Sequence, residues 1–152
     1  MNAHVHHTLT RRWAEQCGYA PADAEQVALW DAATDRLFPG GKRVFLGYHF
    51  ANRGAEELAE AFLARAIDDK DLRYLGVALH CVQDAVSHGR LSRFLHWPGI
   101  DVWARRSPRV RERLERRTKE VLRAYADGLR PAGEHDPREL PQLPLEPPYA
   151  AS

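Results

Sequence analysis

Apolar residues recur along this chain at three- and four-residue spacing in five stretches, and nowhere in the strict alternation of a half-buried strand. A first helix is predicted over about residues 6–17, stopping at Gly18, a usual residue just past a helix end. Pro21 suits the first turn of a second helix and Asp23 the positive end of its dipole. That helix continues through Val27, Ala28, Trp30 and Ala33 to about Leu37, where Pro39-Gly40-Gly41 breaks it. Residues 43–50 form an aromatic-rich connection. A third helix over 54–67 carries Leu58, Ala61, Phe62 and Ala66 at helical spacing. The fourth, about 71–87, is apolar on nearly every side, which places it at the centre of a bundle. A fifth, about 108–127, shows a stripe of Val110, Leu114, Val121, Leu122 and Tyr125. The pattern predicts an all-α, single-domain bundle of about five helices around a buried central helix.

Proline density changes the picture after residue 130. Six prolines between Pro131 and Pro148 preclude a regular helix, so residues 1–130 are expected to form the domain and 131–152 an extended or disordered tail. At 152 residues, 44% apolar and 28% charged, the chain is one globular domain's worth. No apolar run approaches the roughly 20 residues of a membrane span. The start, Met-Asn-Ala-His-Val-His-His, lacks the apolar core of a signal peptide, so a cytoplasmic location is expected. Cys17 and Cys81 fall inside helical patterns and are expected to be small buried hydrophobes rather than a disulfide.

A net charge of +1 gives no strong global field, but residues 105–123 hold nine Lys/Arg against three Glu. Such a run can attract a phosphate-bearing substrate or nucleic acid, although it is more often the solvated face of an amphipathic helix. Few aromatics interleave with these arginines, which gives nucleic acid little support. Trp97 and Trp103 fit a pocket mouth or the core equally well.

Eight histidines are the compositional excess. His80, Asp84 and His88 stand four apart on the central helix; each step advances about 40° net, so the three project from one stripe. Two imidazoles and a carboxylate placed this way can converge on metal ions. An ionised aspartate in so apolar a helix is costly unless a cation or hydrogen-bond donors meet it. The bland alternative is that His80 and Asp84 bond each other, or that the stripe faces solvent. Further candidate ligands are Asp35 at the end of the second helix, His49 between Tyr48 and Phe50, and His6 at the start of the first. Asp35 could equally lie at the surface and His49 be a satisfied core histidine. His4 and His7 compete with His6.

These segments resemble a known family. His6-His7-Thr8-Leu9-Thr10, Gly18-Tyr19, Ala24 to Asp35, Tyr48-His49-Phe50 and the run Leu75-Gly76-Val77-Ala78-Leu79-His80-Cys81-Val82-Gln83-Asp84-Ala85-Val86-Ser87-His88-Gly89 are similar to the zinc-dependent phospholipase C and single-strand nuclease superfamily. The likeness is closest to its small bacterial members and covers about residues 6–125, the central helix most specifically. It implies an all-helical fold holding up to three zinc ions. By position, it implies that Asp35, His49, His80 and Asp84 ligate one ion, that Asp84 bridges to a second ion also held by His6, and that His88 serves another. The secreted phosphodiesterases of that superfamily use the amino group of an N-terminal tryptophan, which this chain lacks. Their last site pairs a histidine and an acid one helical turn apart, and His96 with Asp101 fits that poorly. Two ions are therefore expected rather than three.

The leading expectation is a zinc-dependent hydrolase of a small-molecule or lipid-like phosphate ester, using metal-activated water, with Asp35 as ligand and candidate proton acceptor. The same His/Asp set suits iron or manganese, which leaves open an oxidase or tailoring enzyme. A non-enzymatic, metal-stabilised binding module, with the arginine helix or the tail as its partner surface, is the third possibility.

Overall fold

A computed structural model describes residues 4–88, 103–132 and 139–148. Among these residues the regular structure is entirely helical. A π-helical segment, His4–Leu9, runs directly into α1 (Thr10–Gln16). Then follow α2 (Pro21–Leu37), 3-10 turns at Arg43–Tyr48 and Ala51–Arg53, α3 (Ala55–Asp69), α4 (Leu72–His88), a 3-10 turn at Trp103–Arg105, and α5 (Pro108–Ala126).

Local chemistry sets the boundaries. Pro21 occupies the first turn of α2, and Gly18, at φ +92°, provides the left-handed residue that ends the first helical stretch. At the α3–α4 junction Lys70 is left-handed (φ 52°), and the Asp71 carboxylate accepts the Arg73 N–H at 2.9 Å, capping α4. Ser107 caps α5 by accepting the Val110 N–H, with Pro108 in the first turn.

The bundle is organised around α4, which packs against α2, α3 and α5. From Tyr74 to Ala85 every residue of α4 is buried. Trp30, Phe62, Leu75, Leu79, Leu114 and Leu122 are the largest apolar side chains with almost no exposure. The closest approach falls at Gly76. A Cβ built there would lie 2.5 Å from Trp30 Cβ and 2.8 Å from both Asp31 N and Val27 O. Only glycine lets the α2 backbone approach α4 this closely, one turn before His80.

Helix α5 buries Leu114, Thr118 and Leu122 on one stripe. Its basic face is solvated and partly ion-paired, through Arg116 and Arg117 with Glu120 and Lys119 with Glu115. Trp103 packs edge-on against Trp13 at 6.0 Å, beneath Arg111. Cys17 and Cys81 are free thiols, the second fully buried. Residues 139–148 are not helical except for one turn residue, yet they dock: Leu143 is buried, and Arg73 donates to the Pro144 carbonyl at 2.9 Å. No helix among the described residues is long and apolar enough to cross a membrane.

Replacing Gly76 with alanine gains helix propensity but drives a methyl group into the α2 backbone. The clash should dominate, with a net loss of about 1–3 kcal/mol in urea unfolding. Wild-type stability in Gly76→Ala would contradict the close α2–α4 contact.

Candidate metal centre

The interior of the bundle holds an unusual density of polar groups. His6, Asp31, His49, His80, Gln83, Asp84 and His88 are all buried, five of them with no more than 1% exposure. Three elements converge to place them. The π-helical start brings in His6, α2 brings Asp31 and Asp35, and α4 brings His80, Gln83, Asp84 and His88; His49 arrives on the connection between α2 and α3.

Hydrogen bonds fix which nitrogen of each ring carries the proton when the ring is neutral, as a metal ligand must be. His49 Nε2–H donates to the Phe38 carbonyl at 2.6 Å, so its Nδ1 presents a lone pair. His80 Nδ1–H donates to the Asp31 carbonyl at 3.0 Å, so its Nε2 presents a lone pair. These two bare nitrogens lie 3.2 Å apart. Asp84 Oδ2 is 2.8 Å from His49 Nδ1 and 3.5 Å from His80 Nε2. Asp35 Oδ1 is 3.8 Å and 3.6 Å from the same two atoms.

Four ligands placed tetrahedrally about 2.0–2.1 Å from an ion stand about 3.3–3.4 Å from one another. The measured separations bracket that value. Four donor atoms this close, three of them on buried residues, repel one another unless protons or a metal ion lie between them. Asp35, His49, His80 and Asp84 can thus hold a metal ion. Asp35, with 43% of its side chain exposed, marks the side open to solvent.

The other oxygen of Asp84 faces elsewhere. Its Oδ1 lies 3.4 Å from His6 Nε2 and 3.4 Å from His88 Nε2. His6 Nδ1–H donates to Asp31 Oδ1 at 2.8 Å and to Gln83 Oε1 at 2.9 Å, which leaves the buried Nε2 without a hydrogen-bond partner. The His6 and His80 rings stack at 4.2 Å, each with Nδ1 toward Asp31 and Nε2 toward Asp84. His6, Asp31 and His80 are also close enough to suggest a second metal group. The protons on both Nδ1 atoms already fill that side, so these contacts are hydrogen bonds that orient the ligands.

Charge follows the same arrangement. Burial alone would lower the His80 pKa, but the charge of Asp84 and hydrogen bonding to Asp31 and Asp84 push it up to about 10. His6 is raised as well: burial and the His80 charge oppose protonation, and Asp31 and Asp84 outweigh them. Burial would raise Asp84, yet the charge of His80 and the close ring nitrogens of His49, His6 and His80 hold it well below the usual carboxylate range.

Asp35, His49, His80 and Asp84 form one donor group, and His6 reaches it through Asp84. His88 lies on the same Asp84 oxygen as His6, without closing a three-donor group with them. Of the three N-terminal histidines only His6 enters the interior; His7 pairs with Glu25 at 3.0 Å near the surface, and His4 is exposed. His96, Trp97 and Asp101 lie outside the described residues. Sequence reasoning missed Asp31, Thr10 and Gln83. A signal existed for Asp31, an acid one turn before Asp35 in an apolar stretch, and for Gln83 beside Asp84. The Phe38 carbonyl had none.

No family model, curated protein or solved structure matches the chain.

A metal ion must displace protons that the buried cluster holds at neutral pH. Zinc binding at pH 7 should therefore release about one proton or more per ion, and apparent affinity should weaken as pH falls. Calorimetric titration in two buffers of different ionisation enthalpy measures this. An enthalpy independent of buffer would contradict the proton-displacement account.

Proposed function

We propose that this chain is a metal-dependent hydrolase, most suited to zinc, acting on a phosphate ester or phosphodiester. The observation that carries the reading is the placement of Asp84, whose two oxygens face two different pairs of histidine ring nitrogens, Oδ2 those of His49 and His80 and Oδ1 those of His6 and His88. A carboxylate used this way is suited to bridging two ions. Asp35, His49, His80 and Asp84 would hold the first, and Asp84 with His6 the second. His88 lies on the far side of the bridging oxygen.

Charge balance favours two ions and an anionic substrate. With one divalent ion, the three carboxylates Asp31, Asp35 and Asp84 leave the centre negative when its histidines are neutral. A second ion reverses the sign, so the centre attracts a phosphate ester instead of repelling it. Divalent ions held there would lower the pKa of a bound water to about 7 and stabilise charge developing on a phosphoryl oxygen. Asp35, on the solvent side of the group, is placed to orient an incoming water molecule and take its proton. Phe50 packs against His88 at 5.7 Å and against His49 at 6.5 Å, an apolar ring beside two of the histidines. The resemblance of the His80–His88 helix to phospholipases C and single-strand nucleases supports the same substrate class. The His/Asp donor set also accepts iron or manganese, so each metal has to be tried.

The test is hydrolysis of bis(p-nitrophenyl) phosphate by protein as purified, after chelation, and after reloading with zinc, manganese or iron. Turnover should vanish on chelation, return with a metal, and fall by about 100-fold or more in Asp84→Asn. Turnover indifferent to chelation and to Asp84→Asn would contradict the proposal. So would a metal-loaded protein that cleaves neither this compound nor phospholipid and single-stranded nucleic acid.

A further inference from the structure

One buried carboxylate touches both proposed ion sites without facing either. Asp31 is fully buried on α2, one turn before Asp35. Its Oδ1 accepts the His6 Nδ1–H at 2.8 Å and lies 3.4 Å from His80 Nδ1. Its main-chain oxygen accepts the His80 Nδ1–H at 3.0 Å. Its Oδ2 accepts the Thr10 hydroxyl at 2.7 Å, and Thr10 in turn accepts from Gln83 Nε2 at 2.7 Å. That last bond orients Gln83 so that Oε1 remains for His6 Nδ1 at 2.9 Å. The chain of bonds runs from His6 through Asp31, Thr10 and Gln83 back to His6.

We propose that Asp31 is a positioning residue shared by the two ion sites, holding His6 and His80 with Nε2 bare and making both rings stronger donors. The inference rests on the two-ion reading above and adds the device that links the sites. Histidine ligands gain basicity when the remote N–H is bonded to a carboxylate, and removing such a partner costs about 10–100-fold in metal affinity. Here one residue serves a histidine of each site, His6 through a carboxylate hydrogen bond and His80 through its main-chain oxygen with the carboxylate charge 3.4 Å away, so losing that charge weakens both. Gln83 and Thr10 keep that carboxylate in register. Gly76 permits it, because the Asp31 backbone lies 2.8 Å from the position a Cβ would occupy there.

Asp31→Asn separates charge from shape. The amide oxygen can still accept from His6, and the new NH2 group can donate to Thr10. Thr10 can then turn its own proton to the Val5 carbonyl, already 3.2 Å away. Folding should therefore survive, with thermal unfolding of the chelated protein near wild type. In competition against a chromogenic chelator, zinc affinity should fall by about 10–100-fold at both sites of the full-length protein. The absorption bands of the cobalt-substituted protein should shift as well, which a purely structural role would not produce.

Thr10→Val is the second variant, removing the bonds to Asp31 Oδ2 and from Gln83 Nε2 while substituting no histidine and no carboxylate. It should weaken zinc in the same direction by about two- to tenfold. Affinity unchanged in both variants, or loss confined to one of two ions, would overturn the shared role. A lowered melting temperature without any change in affinity would overturn it too. A wild-type chain that binds no metal would sink the proposed function itself, whereas two tight ions in wild type and Asp31→Asn alike would sink only this inference.

Discussion

Asp84 is an ionised carboxylate near the end of the fully buried stretch of α4, and positive charge has to meet it there. Transferring such a group from water to an apolar interior is far too costly to leave uncompensated. The surrounding residues fit that requirement. His49, His80, His6 and His88 each direct a nitrogen at it, and hydrogen bonds fix the other ring nitrogen of the first three. Without metal, protons on the histidines supply the compensation. Divalent ions supply more of it and leave the rings free to act as neutral donors.

Fold and site depend on the same packing. Asp31 and Asp35 are on α2, His80 and Asp84 on α4, and their separation is set where Gly76 lets the two helices touch. Cores are densely packed, so a shift at that contact is transmitted rather than absorbed. One turn further along α4, a displacement of a few tenths of an ångström would spread donor atoms that now stand 2.8–3.8 Å apart. The apolar bundle therefore serves as the frame that holds mutually repelling donors together.

Much of this was legible in the residues. The five helices followed from periodicity and from Gly18, Pro21, Pro39 and Pro108 at their ends, because each acts locally. The His80–Asp84–His88 stripe followed from helical geometry alone. Asp31 offered one local signal, an acid one turn before Asp35 in an apolar stretch, but its role depends on a histidine 25 residues earlier. Gln83 and Thr10 likewise take their roles from distant partners, His6 and Asp31, and from each other. Leu143 read as part of a proline-rich tail, and its burial against the start of α4 is a tertiary contact without periodic signature. The choice of His6 over His4 and His7 needed the path of the π-helical turn, which spacing does not specify.

Metal content tests the central claim most directly. Protein purified without added metal, and again after equilibration with zinc, should carry at least one ion per chain and two at saturation, with a clear loss in Asp84→Ala. Less than about half an equivalent of any metal, unchanged by that substitution and not restored by adding zinc, iron or manganese, would contradict the account. The buried histidines and aspartates would then be a proton-balanced structural network.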